Sequence, residues 1–348
     1  MEKLDKPEES DAAYQALLEK FPNAKDLDKL LDEWALANLR AGREAESDAV
    51  YRRLIQERPN SDLVDNAKLS LAESDFVSGK LKDAQAAFEE LASNPKSDEE
   101  VREHSTYRLM EIAVAGEDWK TALKLASQIE QKFPNSPYRY TAKFRTSEAL
   151  LAEQKLDEAL KLLLELKDQQ SKPNVSKSYW YPRVWVLLAE IYLRQKNYDK
   201  VVETATAFEN WDSKSDRLYE VYEILGRAYK NQAEWDKARA AFERTLSDPN
   251  SRGTETAAKA QLLIAETYWH QEEWLLAQKE YLKVYHIHKT YPEWQAPALY
   301  QAALCDEKLE QWNKAQETYE EVQAEFPASP FSEKAAKRMK EIAPRVSS

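Results

Sequence analysis

Residues 220–251 read EVYEILGRAYKNQAEWDKARAAFERTLSDPNS, and this stretch decides the fold. In its second half Ala238 and Phe242 are four residues apart, a spacing that puts both side chains on one face of a helix. In its first half Gly226 lies twelve residues before Ala238, where a small residue lets two helix backbones approach closely. The stretch therefore predicts two packed helices joined by a short turn.

The same pattern recurs along nearly the whole chain. We call the small residue at position 238 the anchor of its repeat. The equivalent anchors are Ser10, Ser47, Ala84, Ala122, Ala159, Val201, Ala238, Ala277 and Ala315. Successive anchors are 37, 37, 38, 37, 42, 37, 39 and 38 residues apart. A fixed period in the range of about 20–50 residues is typical of solenoids, in which each repeat packs only against its neighbours.

The hexapeptides FPNSPY (133–138) and FPASPF (326–331) predict the joint between repeats, and FPNA, which begins at Phe21, is a weaker third copy. Proline disfavours helical geometry in the residue before it, so each copy should end a second helix. Ser136 and Ser329 can cap the following helix, with the next proline at its first position. The turns inside repeats are marked by three glycines at the same step of 37 residues, Gly42, Gly79 and Gly116.

Composition excludes several classes of function. The chain has 348 residues, of which 43% are hydrophobic and 32% charged, and its net charge is −12. Nucleic-acid affinity depends on Lys and Arg, so we expect no nucleic-acid partner. No stretch approaches the roughly twenty apolar residues that cross a bilayer, so we expect no direct membrane insertion by this chain. Cys305 is the only cysteine, which excludes an internal disulfide.

The residues that catalysis requires are also sparse. His-Ile-His at 286–288 is the only tempting metal pair, but side chains two residues apart on a helix do not face each other. The five glycines of the chain are too scattered to form a Gly-rich phosphate loop. We therefore predict that the protein is not an enzyme and has no catalytic residue, metal site or cofactor.

These repeats resemble the tetratricopeptide repeat family. Residues 220–251 carry the family's Leu-Gly, Tyr, Ala, Phe and Pro landmarks in order, and residues 260–285 match well. The resemblance covers roughly residues 10–343, although Ala126 and Asp306 depart from the family's aromatic positions. It implies an all-α, right-handed superhelical solenoid of antiparallel helix pairs. We expect about eight full repeats, a leading half repeat and a C-terminal capping helix.

We predict a single solenoid domain over residues 10–343, with flexible ends at 1–9 and 344–348. The one long step, of 42 residues, falls at residues 168–183, which we interpret as a possible joint between two halves of the solenoid. Residues 10–21 form a second helix without a first helix before it. Either this helix caps the stack, or the chain was cut from a longer protein.

Long repeats that end in FPNSPY or FPASPF are similar to the bacterial cell-envelope branch of the family, such as the outer-membrane assembly lipoprotein and the Tol–Pal-associated coordinator. This likeness implies a place in the periplasm or cell envelope, reached through an upstream segment that is not in this chain. The first ten residues, MEKLDKPEES, lack the apolar core of a signal peptide. The alternative is a cytoplasmic location.

The resemblance also implies that the first helices line a concave groove for a partner segment. Eleven residues before the anchors lie five glutamates, Glu73, Glu111, Glu148, Glu190 and Glu266. Fifteen before the anchors lie apolar residues, among them Leu69, Tyr107, Phe144 and Tyr300. These rows share one helical face, so we predict an acidic line beside an apolar line and a basic or mixed basic–apolar partner. The alternative is that the glutamates only pair with neighbouring Lys or Arg.

The function that these observations favour is a non-catalytic scaffold for protein–protein interaction. One alternative is an accessory or regulatory repeat region of a larger cytoplasmic enzyme or signalling protein. Another is a self-assembling oligomer, in which one copy accepts a helix of the next. Trp180, in the long stretch 168–183, is a further candidate contact, because a loop offers fewer packing neighbours and Trp is enriched in interface hot spots.

Overall fold

The computed structural model describes residues 7–21 and 24–346, in which all regular secondary structure is helical. The α-helices of these residues are α1 (Pro7–Lys20), α2 (Leu27–Arg40), α3 (Glu44–Glu57), α4 (Val64–Val77), α5 (Leu81–Ser93), α6 (Glu99–Ala115), α7 (Trp119–Lys132), α8 (Arg139–Ala152), α9 (Leu156–Lys167), α10 (Pro173–Ser176), α11 (Tyr181–Arg194), α12 (Tyr198–Trp211), α13 (Leu218–Asn231), α14 (Trp235–Ser247), α15 (Glu255–His270), α16 (Trp274–Ile287), α17 (Pro292–Lys308), α18 (Trp312–Glu325) and α19 (Pro330–Ile342). Short 3₁₀ turns follow α14 and α19, at Pro249–Ser251 and Ala343–Arg345. The predicted all-α fold is confirmed.

Some predictions lie outside the described residues. These are the flexibility expected of residues 1–6 and 347–348, and the end of the weak FPNA copy at Pro22 and Asn23. Ser10, the anchor of the leading half repeat, falls within α1, but its side chain is also outside the described part of the chain.

Each full repeat consists of a first helix and a second helix, as the anchor frame predicts. The first helices are α2, α4, α6, α8, α11, α13, α15 and α17, and the second helices are α3, α5, α7, α9, α12, α14, α16 and α18. In every full repeat the anchor lies on the second helix and is at most 2% exposed. α1 is a leading second helix and α19 a closing first helix.

The chain divides into two compact units, residues 1–162 and 163–348, and the boundary falls inside α9. Within the first unit, the helices from α1 to α8 pack successively against one another, and α4, α6 and α8 are also in contact. Within the second unit the same holds from α11 to α19, where consecutive first helices again touch. We call the surface formed by consecutive first helices the first-helix layer of a unit.

Residues 168–183, which we predicted to be a joint between two halves of the solenoid, lie in the second unit and include α10. Their role as a joint stays a prediction.

The turn inside each repeat has one fixed geometry. The residue five positions before each anchor adopts a left-handed backbone, with φ between 56° and 81°, at Gly42, Gly79, Glu117, Gln154, Lys196, Ala233, Glu272 and Glu310. The N–H of the next residue bonds to the carbonyl five residues earlier, as from Glu234 to Tyr229 at 2.9 Å, and this bond closes the first helix. Gly116, which we predicted to mark this turn, lies one residue too early and has φ −89°.

Ala233→Gly should stabilise the second unit by about 1 kcal/mol, because a left-handed backbone costs a residue with a Cβ about 1–2 kcal/mol that glycine avoids. Urea unfolding followed by circular dichroism measures this change. Gly79→Ala should lose a similar amount. Gly116→Ala should not, because an added Cβ there meets only Ile112 O at 3.6 Å and Ala113 O at 3.8 Å, and its φ is negative. Equal losses at Gly79 and Gly116 would contradict this account.

The joint between repeats is as predicted at one hexapeptide and differs at the other. Ser329 caps α19, which begins at the next residue. After α7, however, α8 begins only at Arg139, two residues later than predicted. The Ser136 hydroxyl instead accepts the Tyr138 N–H at 3.0 Å and donates to Glu103 at 2.7 Å. Ser136 therefore ties the turn to the preceding first helix rather than capping the next one.

The core lies between the two helices of each repeat. A Cβ on Gly226 would lie 2.4 Å from Cε1 of the fully buried Phe242, which is the close approach that the sequence predicts. The side chain seven residues after the anchor is at most 1% exposed in every full repeat. In chain order, these side chains are Leu54, Leu91, Ile129, Leu166, Phe208, Thr245, Val284 and Val322. A second helix therefore needs its own first helix to cover this position.

Candidate binding surface

Glu73, on the first-helix layer of the first unit, is an ionised carboxylate with two partners. It accepts hydrogen bonds from Arg108 Nε and Nη2 and from His104 Nε2, each at 2.7 Å. His104 Nδ1 lies 2.7 Å from the Tyr138 hydroxyl, which donates to it when Nε2 carries the ring hydrogen. Burial tends to raise the pKa of Glu73, but the hydrogen bonds from His104 and Arg108 hold it below its usual value.

Arg145 on α8 bridges two of the predicted glutamates. Its Nε and Nη2 bond the Glu111 carboxylate at 2.8 Å each, and its Nη1 bonds Glu148 at 2.7 Å. The three side chains are only 13–14% exposed. Burial tends to lower the pKa of Arg145, but the two glutamates raise it above its ordinary value. The cluster therefore brings two carboxylates and one guanidinium together at a mostly buried place.

The second unit carries similar pairs between first-helix glutamates and cations. Glu190 and Glu223 form one cluster, with N–O distances of 2.5–3.1 Å to Arg194, Arg227 and Lys259. Glu266 pairs with Lys230. In the cluster of Glu190 and Glu223, three cations face two carboxylates. All five predicted glutamates thus bond to cations in their own unit, and their contact with a partner stays a prediction.

The apolar candidates differ in accessibility. Leu69, Tyr107 and Tyr300 are partly exposed on first helices. Phe144 is fully buried, and Trp180, which directly precedes α11, is 3% exposed. Phe144 and Trp180 therefore pack in the core, and a partner could touch them only after a rearrangement. We expected Trp180 to be accessible because it lies outside the long helices, but its ring packs edge to face on the buried Tyr181, with centroids 6.1 Å apart.

A cavity of about 240 Å³ lies beside Glu73 in the first unit. Its lining combines an apolar wall with an acidic one, formed by Leu39, Leu69 and Val77 and by Glu44, Asp48 and Glu73. Leu39 and Val77 are 46% and 70% exposed, so apolar surface continues from the cavity to solvent. Asp48 accepts the Ser74 hydroxyl at 2.9 Å and lies 3.4 Å from Arg52. The arrangement suits an apolar side chain with a cation next to it.

Sequence reasoning found Leu69 and Glu73 but missed the other side of this cavity. Glu44 and Asp48 lie on α3, a second helix, whereas the prediction counted rows on first helices alone. Val77 did carry a signal in the sequence. Seven residues before the anchors, the other full repeats have Arg, Ala, Asn, His or Lys, and only this one has a large apolar residue.

The groups that could do chemistry are few in the part of the chain that the structure describes. In residues 7–21 and 24–346, no three His, Cys, Asp or Glu side chains are placed to hold a metal ion. Burial, and then the charge of Asp306, raise the pKa of the Cys305 thiol to about 12, so it is protonated and inert at neutral pH. None of the helices in this part is both long and apolar enough to span a bilayer.

Two family descriptions match this sequence. The tetratricopeptide repeat-like domain matches residues 2–134 and 106–264. The tetratricopeptide repeat matches residues 297–329. No curated protein matches the sequence.

Several solved structures share the fold at low sequence identity. One is a signal transduction ATPase with numerous domains from Pyrococcus horikoshii, which has a tetratricopeptide repeat sensor. It is 16% identical to this chain, with a TM-score of 0.65, and the match covers 98% of this chain and 55% of that one. A tetratricopeptide repeat protein from Parabacteroides merdae is 13% identical over 78% of this chain and 98% of its own, with a TM-score of 0.52. The apo quorum sensor NprR from B. thuringiensis is 14% identical over 80% of each chain, with a TM-score of 0.51. Identities this low establish similarity of fold alone.

Proposed function

Because the chain belongs to the tetratricopeptide repeat family, whose members are typically non-catalytic interaction scaffolds, we propose that it binds a segment of another protein on its first-helix layer. The partner segment is basic or mixed basic and apolar. One observation carries this proposal: the cavity beside Glu73 joins exposed apolar side chains to three carboxylates. The first unit is the preferred side, since this cavity and its three carboxylates lie there.

The cavity would take one apolar side chain of the partner between Leu39, Leu69 and Val77. Burying such a side chain contributes about 1.5–3 kcal/mol, so one cavity supports only modest affinity. A neighbouring Lys or Arg of the partner would lie against Glu44 and Asp48, where opposite charge speeds encounter and fixes the orientation of the segment. Glu73 is held in place by Arg108 and supplies the far wall.

Glu44→Lys should weaken partner binding at least tenfold, because it places a cation where the partner's cation would lie. A random peptide library displayed on phage, selected on the full chain, supplies the probe. We expect the selected peptides to combine Leu, Ile, Met or Phe with Lys or Arg. Their affinities for the two proteins are then compared by fluorescence polarisation.

Two variants complete this test. Leu69→Arg places a long cationic side chain in the cavity and should likewise weaken binding at least tenfold. Glu203→Lys makes the same change of net charge on a second helix of the other unit, where the side chain is 63% exposed, and should leave binding unchanged. Selected peptides that are acidic, or binding that is equal in all four proteins, would refute the proposed partner.

A second candidate function is a sensor or regulatory region of a larger signalling protein. It is favoured by one comparison, in which nearly the whole chain corresponds to about half of a signal-transduction ATPase with a repeat sensor. The two candidates differ in compartment, since we place the scaffold in the periplasm or cell envelope and the sensor in the cytoplasm. The full gene product separates them: an upstream signal sequence favours the scaffold, and a folded catalytic domain favours the sensor.

A further inference from the structure

A second cavity, of about 360 Å³, lies in the second unit at the C-terminal ends of α16 and α18. Two of its walls are the partly exposed rings of Tyr285 and Phe326, whose planes cross at 76° with centroids 6.2 Å apart. Aromatic faces attract a cation that comes within about 6 Å of the ring centre. The cavity is therefore large enough for one ligand group and has walls that suit a cation.

Two carboxylates of this cavity have no cation as partner. Glu321 and Glu325 are four residues apart, which places both on one face of α18, and both are exposed. Unlike the first-helix glutamates, neither forms an ion pair with any cation in residues 7–21 and 24–346. Lys289 also lines the cavity, but it pairs with neither of them. Both carboxylates can therefore bond a cation that enters the cavity.

The amide of Gln295 adds a neutral acceptor to the cavity. Gln295 lies on α17, lines the cavity and is only 6% exposed. Its Nε2 donates to the Tyr285 carbonyl at 2.6 Å, and this bond fixes the amide. Its Oε1 accepts no hydrogen bond from any residue that the structure describes. Because buried polar atoms are nearly always bonded, a ligand N–H is the partner that this oxygen lacks.

The hydroxyl of Tyr285 orients one of the carboxylates. It donates to Glu321 Oε1 at 2.7 Å. Burial, and then Glu321 and Glu325, raise the pKa of Tyr285 to about 12, so the hydroxyl remains a donor in neutral and mildly alkaline solution. This bond holds the Glu321 carboxylate beside the ring and leaves its second oxygen, Oε2, for a ligand.

This combination of residues occurs at one place among the full repeats. Tyr285 lies eight residues after its anchor, where the others have Ile, Ala, Glu, Lys, Leu or Gln. Glu321 and Glu325 lie six and ten residues after theirs, and no other full repeat has acidic residues at both positions. The cavity is therefore a local feature of the last two repeats and does not follow from the repeat frame.

We propose that this cavity binds the guanidinium group of an arginine side chain of another protein. A guanidinium is a planar cation with five N–H donors, so it can stack on an aromatic ring while it donates to carboxylates and to an amide oxygen. An ammonium group lacks the flat face. Free arginine would bring its own carboxylate towards Glu321 and Glu325, whereas a residue within a chain brings none. The proposal does not depend on binding at the cavity of the first unit.

Ligand-observed saturation-transfer NMR on the full chain tests this proposal, with N-acetyl-arginine amide as the probe. The corresponding citrulline amide is a neutral ligand of the same shape, and the lysine amide carries an ammonium group. We expect the arginine amide to bind with a millimolar dissociation constant, at least tenfold tighter than the citrulline amide and severalfold tighter than the lysine amide. The solution is kept mildly alkaline, where an imidazole is neutral, because His286 also lines the cavity.

Free L-arginine separates the two sources of a guanidinium group. We expect it to bind no more tightly than the arginine amide. Tenfold tighter binding of the free amino acid would overturn the assignment to another protein, and would mean that the cavity holds a small molecule.

Charge variants locate the site. Glu321→Gln and Glu325→Gln should each weaken binding of the arginine amide at least fivefold, because each removes one charged acceptor. Lys289→Gln should strengthen it about threefold, because it removes a like charge. Glu320→Gln is the matched control, since it makes the same charge change on α18 at an exposed residue that bonds Gln316 instead. It should leave binding unchanged.

Ring variants test the aromatic wall. Tyr285→Leu should weaken binding at least fivefold, whereas Tyr285→Phe keeps the ring and should stay within about twofold. Tyr285 is partly buried, so urea midpoints of both variants are compared, and if Tyr285→Leu does not fold the glutamine variants decide. No binding of the arginine amide at millimolar concentration, equal binding of the citrulline amide, or equal losses in Glu320→Gln and Glu321→Gln would overturn the proposal.

Discussion

Arg145→Met is expected to destabilise the first unit by about 3 kcal/mol. The substitution leaves two carboxylates, Glu111 and Glu148, close together at only 13% exposure without the guanidinium that bonds both. Breaking a buried pair by removing one partner costs about 3–5 kcal/mol, and the slight exposure of this cluster places it at the lower end. Urea unfolding measures the loss, and hydrogen exchange should show it in α6 and α8, which contact each other.

Arg53→Met is the matched control for this prediction. Arg53 pairs with Glu57 in the same unit at 2.8 Å, but the two side chains are 41% and 38% exposed. Exposed pairs at this spacing contribute about 0.3–0.5 kcal/mol, so the control should be nearly silent. If both variants lose the same stability, the glutamate–arginine cluster does not stabilise the first-helix layer.

Asp306→Asn is expected to stabilise the second unit by up to about 3 kcal/mol at pH 7.5. Asp306 is 2% exposed, and burial raises the pKa of its carboxyl to about 6, although Lys314 and bonds from Thr318 and Gln278 oppose this shift. An unfolded Asp titrates near pH 3.9, and a difference of about two pKa units corresponds to about 3 kcal/mol. Asn removes the buried charge and keeps a side chain that can bond Gln278.

The sign of the pH dependence follows from the raised pKa of Asp306. Between about pH 4 and 6 the folded chain binds a proton that the unfolded chain does not, so this group stabilises the fold fully below about pH 4 and loses that effect as pH rises through about 6. The advantage of Asp306→Asn should therefore be largest above pH 6.5 and vanish near pH 4. Urea midpoints of both proteins measured across this range provide the test.

Asp118→Asn should show the opposite trend. Asp118 is exposed and caps α7, and hydrogen bonds from Thr121 lower the pKa of its carboxyl. A carboxyl whose pKa is lowered by folding stabilises the fold at a pH above its pKa in the unfolded chain, and this stabilisation is lost as the pH falls. The destabilisation by Asp118→Asn should therefore appear at neutral pH and fade in acid. An Asp306→Asn advantage that is independent of pH would mean that the raised pKa is not its cause.

The sequence predicted most of the repeat geometry because that geometry is local. The left-handed residue of each turn keeps a constant place five positions before the anchor, whether it is Gly79 or Glu117. The closing hydrogen bond of the first helix fixes this position, and glycine only makes it less costly. The glycine pattern therefore located the third turn correctly, but it assigned the left-handed position to Gly116, whereas Glu117 adopts it.

The candidate site was predicted less well because it depends on neighbouring repeats. The glutamates were correctly assigned to first helices, but the sequence left open whether they face a partner or a cation. The structure pairs Glu111 with Arg145, which is 34 residues away on the next first helix. Ser136 is a similar case, because its hydroxyl bonds Glu103 across the joint, and so α8 begins later than the Ser-Pro pattern predicts.

By itself, the sequence determined that helices pair at a near-constant step, where each pair turns and which small residues lie at the close approaches. These features depend on side-chain period and backbone preference within a few residues. Only the tertiary structure decided which carboxylates pair with cations, that Trp180 is buried, that α3 and α4 line an open cavity, and that Leu17 on α1 is exposed. These outcomes depend on how each helix is rotated against one a whole repeat away. Core packing sets that rotation, and the pattern along a single helix does not encode it.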